Sequence, residues 1–414
     1  MDKGMRITLM PQYMKDFQCI GTSCEDSCCI GWKVLIDNST YKKYQNLKDF
    51  ELAPLLKKYV KRNRINSSKE NYAKIRMKEN NSCPFLNTEK LCSIQLKRGP
   101  EYLSNVCATY PRIMNMVDSA IEISGTISCP EIARLALLNP NIMEFDESCD
   151  NINIRGNLVV KNLDTKNNHL ANMPGKYFWE IRIFTISMLQ NREIELWKRM
   201  IILGLFYKKL QDYIDSGKLD FIPDLISHYS DFDYQDTINE SLGSIKSNQN
   251  IQINLLVNLA EKKFLTGISG IRYIKCFQAF VDGLQCTGNS TGEEIAQNYS
   301  RAYLEYYQPF MRDHEYVLEN YLVNYVFKNM FPFNCYQSVF GSYMMLVIHY
   351  SLIKMHLIGM SAFYKGLNID LVIELIQSLG KNIEHNKAYL EDIESYMIEK
   401  NFNTMAYMAI LLKN

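Results

Sequence analysis

Three things are scarce in this sequence, and each absence closes off a class of function. Net charge is almost nil: 46 lysines and arginines face 45 aspartates and glutamates, a formal +1. Nucleic acid favours a concentrated basic face, so it is not an expected partner. The one basic run, LKKYVKRNRINSSK, has no groove-binding motif beside it and reads as a solvated loop or helix end. Long apolar runs are also lacking. The best candidate, Tyr343 to Met360, is interrupted by His349, Lys354 and His356, which predicts a buried helix and no membrane partner. The N-terminus, MDKGMRITLMPQYM, has neither a secretory core nor a small-residue cleavage site, so a cytoplasmic, reducing setting is expected. Finally, no glycine-rich turn follows a strand. The nearest pieces, GTSC and GISG, do not make the phosphate or adenosine cradle of a doubly wound fold.

Cysteine is abundant instead. Of twelve, eight lie in the first third of the chain: Cys19, Cys24, Cys28 and Cys29 in CIGTSCEDSCCIGW, Cys83 and Cys92 in CPFLNTEKLC, Cys107 in NVCATYPR and Cys129 in ISCPEIARL. A reducing setting argues against stable disulfides, which leaves metal ligation or inert buried thiols. Structural zinc sites show paired knuckles with two to four residues between thiols, a spacing that Cys83 and Cys92 do not have. Iron-sulfur proteins gather thiolates from looser turns, and this set is closer to that arrangement. It matches neither known loop: a plant-type ferredoxin would need a thiol at Ser27, and a radical S-adenosylmethionine enzyme one at Gly31. Four thiols suffice for one cluster, so eight imply a second site or supporting thiols. Adjacent Cys28 and Cys29 point in different directions and are not expected to share one metal atom.

The order CxxxxCxxxCCxGW, CPFL, CATYPR, SCPE resembles the cysteine-rich zinc- or iron-chelating domain and, more narrowly, the flagellin lysine N-methylases. FWEIRIFTISMLQNREIELWKRMIILGLF (Phe178 to Phe206) and ENYLVNYVFKNMFPF (Glu319 to Phe333) are similar to later blocks of that family. The resemblance implies methyl transfer from S-adenosylmethionine to lysines of flagellin, with a four-iron four-sulfur cluster (4Fe-4S) as cofactor. Two other readings stay open: a non-enzymatic zinc or iron platform for a partner protein, and an iron-sulfur redox centre.

With 414 residues, 47% of them hydrophobic, the chain has material for two cores. Strand-like alternation at MRITLM, WKVLID (burying Val34 and Ile36), YAKIRM and SAIEIS predicts one small sheet carrying the cysteine loops, with a helix at NSTYKKYQNL capped by Ser39 or Thr40. The polar, Pro- and Gly-punctuated stretch from Asn139 to Lys176, with strand-like NLVVKNL inside it, marks a boundary. Beyond Pro174, helical spacing recurs over Phe178 to Gln190, Glu195 to Ser216 (closing at Gly217), Ile251 to Phe264, Glu293 to Gln308, His314 to Met330, Tyr336 to Met360, Asp370 to Leu379 and Ala388 to Lys400. Breaks are expected at Pro309 and Pro332, and QDTINESLGSIKSNQN is read as a loop. The expected fold is α+β, mostly α: a small irregular cysteine-rich α/β domain over residues 1–150 and a larger all-helical domain over 151–414 that shapes a protein-substrate groove.

Lysine methylation needs a neutral, aligned amine beside a cationic donor, a task for aromatic faces and tyrosine hydroxyls. The matched block ENYLVNYVFKNMFPF supplies Tyr321 and Tyr325 on one stripe and Asn320, Asn324 and Lys328 on another, so Tyr321, Tyr325 and Asn324 are the catalytic candidates. The bland alternative is a set of core tyrosines with bridging asparagines. Trp179, Glu180 and Arg182 form a second set, with a buried ion pair as its plain reading. His349 and His356, seven apart on one face, read as core residues.

Overall fold

The computed structural model describes residues 6–31, 33–65, 67–150, 159–167, 173–265, 267, 270–287, 289–333 and 336–414. Met5 and Trp32, at the starts of two expected strands, Asn157 and Leu158 in NLVVKNL, Gly156 in the boundary stretch and Ile268 and Ser269 of GISG lie outside the described residues. The chain forms two compact units, Met1–Ile132 with Asp146–Asn162, and Ala133–Phe145 with Leu163–Asn414.

The first unit is α+β. In order it holds β1 (Arg6–Pro11), β2 (Leu35–Ile36), α1 (Asn38–Gln45), α2 (Leu52–Tyr59), β3 (Val60–Arg62), β4 (Ala73–Ile75), α3 (Ser93–Arg98), α4 (Asn105–Thr109), β5 (Arg112–Val117) and β6 (Ala120–Gly125). Then follow α5 (Pro130–Leu137), which runs on into the second unit, β7 (Phe145–Asp150) and β8 (Val159–Leu163). The single expected sheet is in fact two. One has strand order β7-β1-β6-β5-β8, and the other is the three-stranded β2-β4-β3. β1 runs parallel to β6, pairing Thr8 with Ile121, while β5 and β6 form an antiparallel hairpin. The basic run is a helix end followed by β3, whose Val60 is buried and whose Lys61 and Arg62 are exposed.

Helix α1 is capped by Asp37, not by Ser39 or Thr40: its carboxylate accepts from the Thr40 N–H at 2.9 Å and from both hydroxyls. An ionised oxygen two or three residues ahead outcompetes the hydroxyls for the orphan donors. Val34 and Ile36 are buried as expected, and with Leu52, Leu56, Val60, Ile75 and Phe85 they form the apolar core against which Cys29 and Cys92 pack.

The second unit is helical: α6 (Phe178–Leu189), α7 (Leu196–Asp215), α8 (Ile222–Ser230), α9 (Phe232–Leu242), α10 (Gln249–Leu265), α11 (Ile271–Gly283), α12 (Gly292–Ala302), α13 (Gln308–Met311), α14 (Tyr316–Lys328), α15 (Val339–Tyr364), α16 (Ile369–Ile383), α17 (Lys387–Glu399) and α18 (Met405–Leu412). The first half of the expected loop QDTINESLGSIKSNQN lies in α9. Asp231 caps it, and Gln235, Ile238 and Leu242 form a buried stripe that its polar composition hides. Pro309 breaks nothing, because it sits in the first turn of α13, directly after a π-helical turn at Tyr303–Tyr307. Gly217 closes α7 with a positive φ of 70°. α8, α11 and α18 were not foreseen.

Helix α15 is the axis of this unit and packs on α7, α11, α16 and α18. It is apolar on every face, and 94% of its most hydrophobic window is buried inside the protein, so it is a core helix. Several of its polar residues are matched individually: the Ser351 hydroxyl donates to the Leu411 carbonyl and the Lys354 ammonium to that of Leu412. His356 donates Nδ1–H to the Leu352 carbonyl at 2.7 Å, so its Nε2 accepts from the Tyr273 hydroxyl at 3.2 Å. Where α15 meets α11, glycine permits contact: a Cβ on Gly359 would lie 2.8 Å from the Phe280 carbonyl oxygen and 3.0 Å from its Cα.

Two outcomes follow for stability. Gly359→Ala should cost about 1–3 kcal/mol despite the better helix propensity of alanine, because backbone rather than a flexible side chain must move; a lowered urea midpoint with unchanged slope would register it. Burial pushes both His349 and His356 down to about 4. The unfolded chain takes up these protons near pH 6.5 while the folded one does not. Stability is therefore full above that pH and falls as the pH drops toward 4, by roughly 3 kcal/mol per histidine. In His356→Gln the loss should shrink by that share; a midpoint flat from pH 7 to pH 4 in the wild type would show the account to be wrong.

Candidate metal centre

The eight expected thiols come from separate turns of the first unit. Gly21, at φ 58°, starts a tight turn that the Cys24 N–H closes on the Gly21 carbonyl. Cys24 then donates its S–H to the Asp26 carbonyl at 3.4 Å, and the Cys29 N–H bonds the Ser27 hydroxyl. The loop is fastened to the next motif by backbone: Cys83 N–H donates to the Cys29 carbonyl at 2.8 Å, Gly31 N–H to the Asn81 carbonyl at 3.0 Å, and Ile30 bridges Ser82. In CPFLNTEKLC the Asn87 side chain accepts from Leu91 N–H at 2.8 Å and Lys90 takes a φ of 60°. This reversal pairs Leu86 with Cys92 and returns Cys92 toward Cys83. Cys107 lies in α4, which Ser104 caps, and Cys129 directly precedes Pro130, the first residue of α5.

All eight sulfurs line two adjoining cavities. The larger, about 440 Å³, is bordered by Cys19, Cys24, Cys28, Cys29, Cys92, Cys107 and Cys129; the smaller, about 80 Å³, by Cys28, Cys29, Cys83, Cys92 and Cys107 with apolar neighbours such as Val34, Phe85 and Leu103. None of the eight is in a disulfide. Cys83 and Cys129 are buried, Cys24, Cys29 and Cys92 half-buried, and Cys19, Cys28 and Cys107 exposed. Among the described residues no three His, Cys, Asp or Glu side chains converge on a single ion-sized point; the sulfurs ring the cavity walls.

The electrostatics follow from that placement. Burial pushes the Cys83 thiol up to about 11 and Cys129 to about 12, against backbone N–H groups of Phe85, and of Glu131 and Ile132, that favour the thiolates. Cys29 is raised much further, by its hydrogen bond with Cys28 and then by burial. Without metal these sulfurs stay protonated at neutral pH, and a bound metal displaces the protons. A dense set of free thiols fits a soft, thiophilic metal, and zinc and iron-sulfur both qualify. Lys90 and Arg112 also line the larger cavity, Arg112 resting 4.9 Å from the Phe17 ring. Motif reading missed these two cations, which would oppose the negative charge of thiolates on that wall.

The helical unit places the expected catalytic residues in α14, whose Tyr321, Asn324 and Tyr325 are 3%, 0% and 4% exposed. The Tyr321 hydroxyl lies 3.1 Å from His349 Nδ1 and donates to Glu384 at 3.4 Å. With that proton directed at Glu384, His349 donates through Nδ1 and its Nε2 is a bare acceptor, buried and without a hydrogen-bond partner among the described residues. Burial alone would raise the Glu384 carboxyl, but the paired Lys328 ammonium leaves it below its ordinary range. The Tyr325 ring stands 5.1 Å from that of His349. The asparagine stripe divides: Asn320 donates to the carbonyls of Leu137 and Asn139, a bridging role. Glu384, at the end of α16, carried no signal in the sequence.

The second expected set is arranged differently. Glu180 is exposed, whereas Arg182 is buried with its guanidinium 4.5 Å from the ring centres of Phe178 and Trp179 and 5.1 Å from that of Phe327. Its pairing is with rings, a better match for a weakly hydrated planar cation in an apolar wall than an exposed carboxylate.

Comparison with known proteins supplies the context. Two lysine-N-methylases, from Salmonella choleraesuis (strain SC-B67) and Salmonella typhimurium (strain LT2), are 31% identical to this chain over 137 residues, 33% of it and 34% of each of them. The match thus spans about a third of those relatives. The flagellar biosynthetic protein FliU of Salmonella muenchen is 31% identical over 137 residues, 80% of its own length. No solved structure matches. Residues 182–411 match the family model described as the FliB lysine N-methylase C-terminal domain. That stretch is more than half of the chain, and it includes the helices that carry Tyr321, Asn324, Tyr325, His349 and Glu384; this protein belongs to the FliB lysine N-methylase family.

Proposed function

We propose that the protein is an S-adenosylmethionine-dependent lysine N-methyltransferase acting in the cytoplasm on flagellin, with an iron-sulfur cluster held by the cysteine-rich unit. The observation that carries the reading is the family match over residues 182–411. The relatives named lysine-N-methylase and FliU support the reaction and the flagellar substrate.

The thiols of Cys19, Cys24, Cys28, Cys29, Cys83, Cys92, Cys107 and Cys129 are the donor set for the cluster. When bound, it supplies a thiolate-anchored inorganic core that ties the cysteine loops together. S-Adenosylmethionine supplies the electrophilic methyl group. For the amine, the chain must remove a proton and hold nitrogen in line with that methyl group. We assign this work to Tyr321, Tyr325 and Asn324. Their burial supports a desolvated amine, and the Tyr321 hydroxyl, with His349 beside it, has Glu384 as its proton acceptor. The aromatic faces of Tyr321 and Tyr325 suit an ammonium or sulfonium cation.

The decisive experiment incubates the purified, anaerobically prepared protein with flagellin and S-adenosylmethionine and maps flagellin peptides by mass spectrometry. Lysine peptides should gain mass in methylene steps, and Tyr321→Phe should lower kcat by about 10²-fold with little change in melting temperature. Unmodified flagellin under conditions where the protein carries its metal would defeat the proposal.

A further inference from the structure

The stretch that ends α7 and forms α8 and α9 carries a charge that the chain as a whole does not. Residues 212–240 hold eight acidic side chains and a single lysine, in a chain whose formal net charge is +1. Part of that charge is used locally. Lys208 pairs with Asp212 at 2.7 Å, Lys176 with Asp220 at 3.2 Å, and Asp231 caps α9 by accepting from the Tyr234 N–H. Asp224 on α8 and Asp233, Asp236 and Glu240 on α9 are all exposed and form no ion pair among the described residues.

On α9 the acids form a ridge. Gln235, Ile238 and Leu242 turn one side of the helix inward, and it packs on α7 and α8. At about 3.6 residues per turn, Asp233, Asp236 and Glu240 fall on the opposite side. Like charges three and four residues apart repel along a helix, and Glu240 also stands in the last turn, which favours cations. Lys413, the cation at that end, is engaged on backbone: it donates to the Leu242 and Gly243 carbonyls at 3.5 and 3.3 Å. The helix would form more easily without this ridge. Apolar rings accompany the charge. Phe232, the first residue of α9, is 77% exposed, and Phe221, just before α8, is 54% exposed. The rings of His228 and Tyr234 join the two helices, with centres 3.8 Å apart.

Carboxylates beside aromatic rings suit an ammonium group, and the chain's own lysines use them on neighbouring turns. The Lys176 ammonium that meets Asp220 lies 4.7 Å from the Tyr177 ring centre, and that of Lys209 lies 5.3 Å from the Tyr213 ring centre. A protein that a lysine N-methylase modifies must present lysine at its surface. We propose that the exposed sides of α8 and α9, with Phe221, Asp224, Phe232, Asp233, Asp236 and Glu240, are the docking surface for a lysine-bearing segment of the protein substrate. This rests on the function proposed above and adds how the substrate is captured. Ammonium groups of the segment quench the repulsion along the ridge, and the two phenylalanines cover its apolar stems. The field of the ridge raises the local concentration of such segments, so it acts on capture and not on the chemical step.

The test measures binding and methylation separately. The full-length protein, Asp233→Asn/Asp236→Asn/Glu240→Gln and Phe232→Ser are titrated with purified flagellin in the absence of donor, at about 50 mM and about 500 mM salt. Lysine-acetylated flagellin is the control probe. The triple variant should bind about tenfold more weakly at low salt, and the gap should close at high salt. Phe232→Ser should weaken binding at both salts, and acetylated flagellin should bind the wild type and the triple variant alike. In turnover, KM of the triple variant should rise by the same factor with kcat unchanged. All four substituted residues are exposed, so circular dichroism and melting should match the wild type. Equal affinity of wild type and triple variant at low salt, or a loss that high salt does not reduce, would overturn the proposal. So would a concentration-dependent dimer that the triple variant lacks, because the basic run from Lys57 to Arg64 of a second copy would then be the occupant. Flagellin captured in this charge-dependent way but never methylated would sink the function proposed above and leave the docking surface standing. Methylation with one KM in all three proteins would do the reverse.

Discussion

The hydrogen bond from Cys83 N–H to the Cys29 carbonyl is the joint on which the cysteine-rich unit depends. It ties together residues 54 apart in the chain, and the neighbouring Ile30–Ser82 bridge and Gly31–Asn81 bond extend it into a short ladder. Closing a loop of that length costs entropy that grows only slowly with length. The compensation comes from what lies between, namely β2, β3 and β4 with α1 and α2, which bury Val34, Ile36, Leu52, Leu56 and Ile75. The apolar core positions the thiols at its margin. A metal bound there would meet a preformed arrangement, so less ordering entropy would oppose its ligation.

That margin sets a chemical compromise. Burial disfavours a thiolate, and at Cys83 and Cys129 it outweighs the N–H groups aimed at the sulfur. A fully exposed thiol would ionise more readily but would also be open to oxidation. The same N–H groups, with Lys90 and Arg112 on the wall, would favour thiolates at Cys83 and Cys129 if a metal were bound there.

Much of this was legible in the sequence because it rests on short-range signals. Cysteine spacing marked the residues that line the two cavities, two-residue alternation exposed Val34 and Ile36, and helical spacing located most helices of the second unit. What stayed hidden depends on partners far away in sequence or on turns without the usual markers. The β5–β6 hairpin turns at Asp118 and Ser119, both with positive φ and neither a glycine, so nothing announced β5. α9 carries its buried stripe within a mostly polar segment. Glu384 meets Lys328 and Tyr321 across 56 and 63 residues, and no local pattern encodes such a meeting.

Helix α14 shows why polar residues in the core need not be read as either structural or functional. Every residue from Val317 to Lys328 is buried, so none of its polar groups can rely on solvent. Glu319 accepts from Arg192 at 2.9 Å and from Arg199 at 2.7 Å, Asn320 holds the end of α5, and Lys328 pairs with Glu384. A buried ion pair contributes little net stability, but removing one partner is severe, so these pairs act mainly by fixing the register of α14 against its neighbours. Register in turn fixes where Tyr321 and Tyr325 stand relative to His349. Around them the charges are neutralised in pairs, while His349 Nε2 has no hydrogen-bond partner among the described residues. Evenly matched pairing would have satisfied that nitrogen too. Asn320 Oδ1 on α14 is likewise buried without a hydrogen-bond partner among the described residues, so this network fixes register more completely than it satisfies every polar atom.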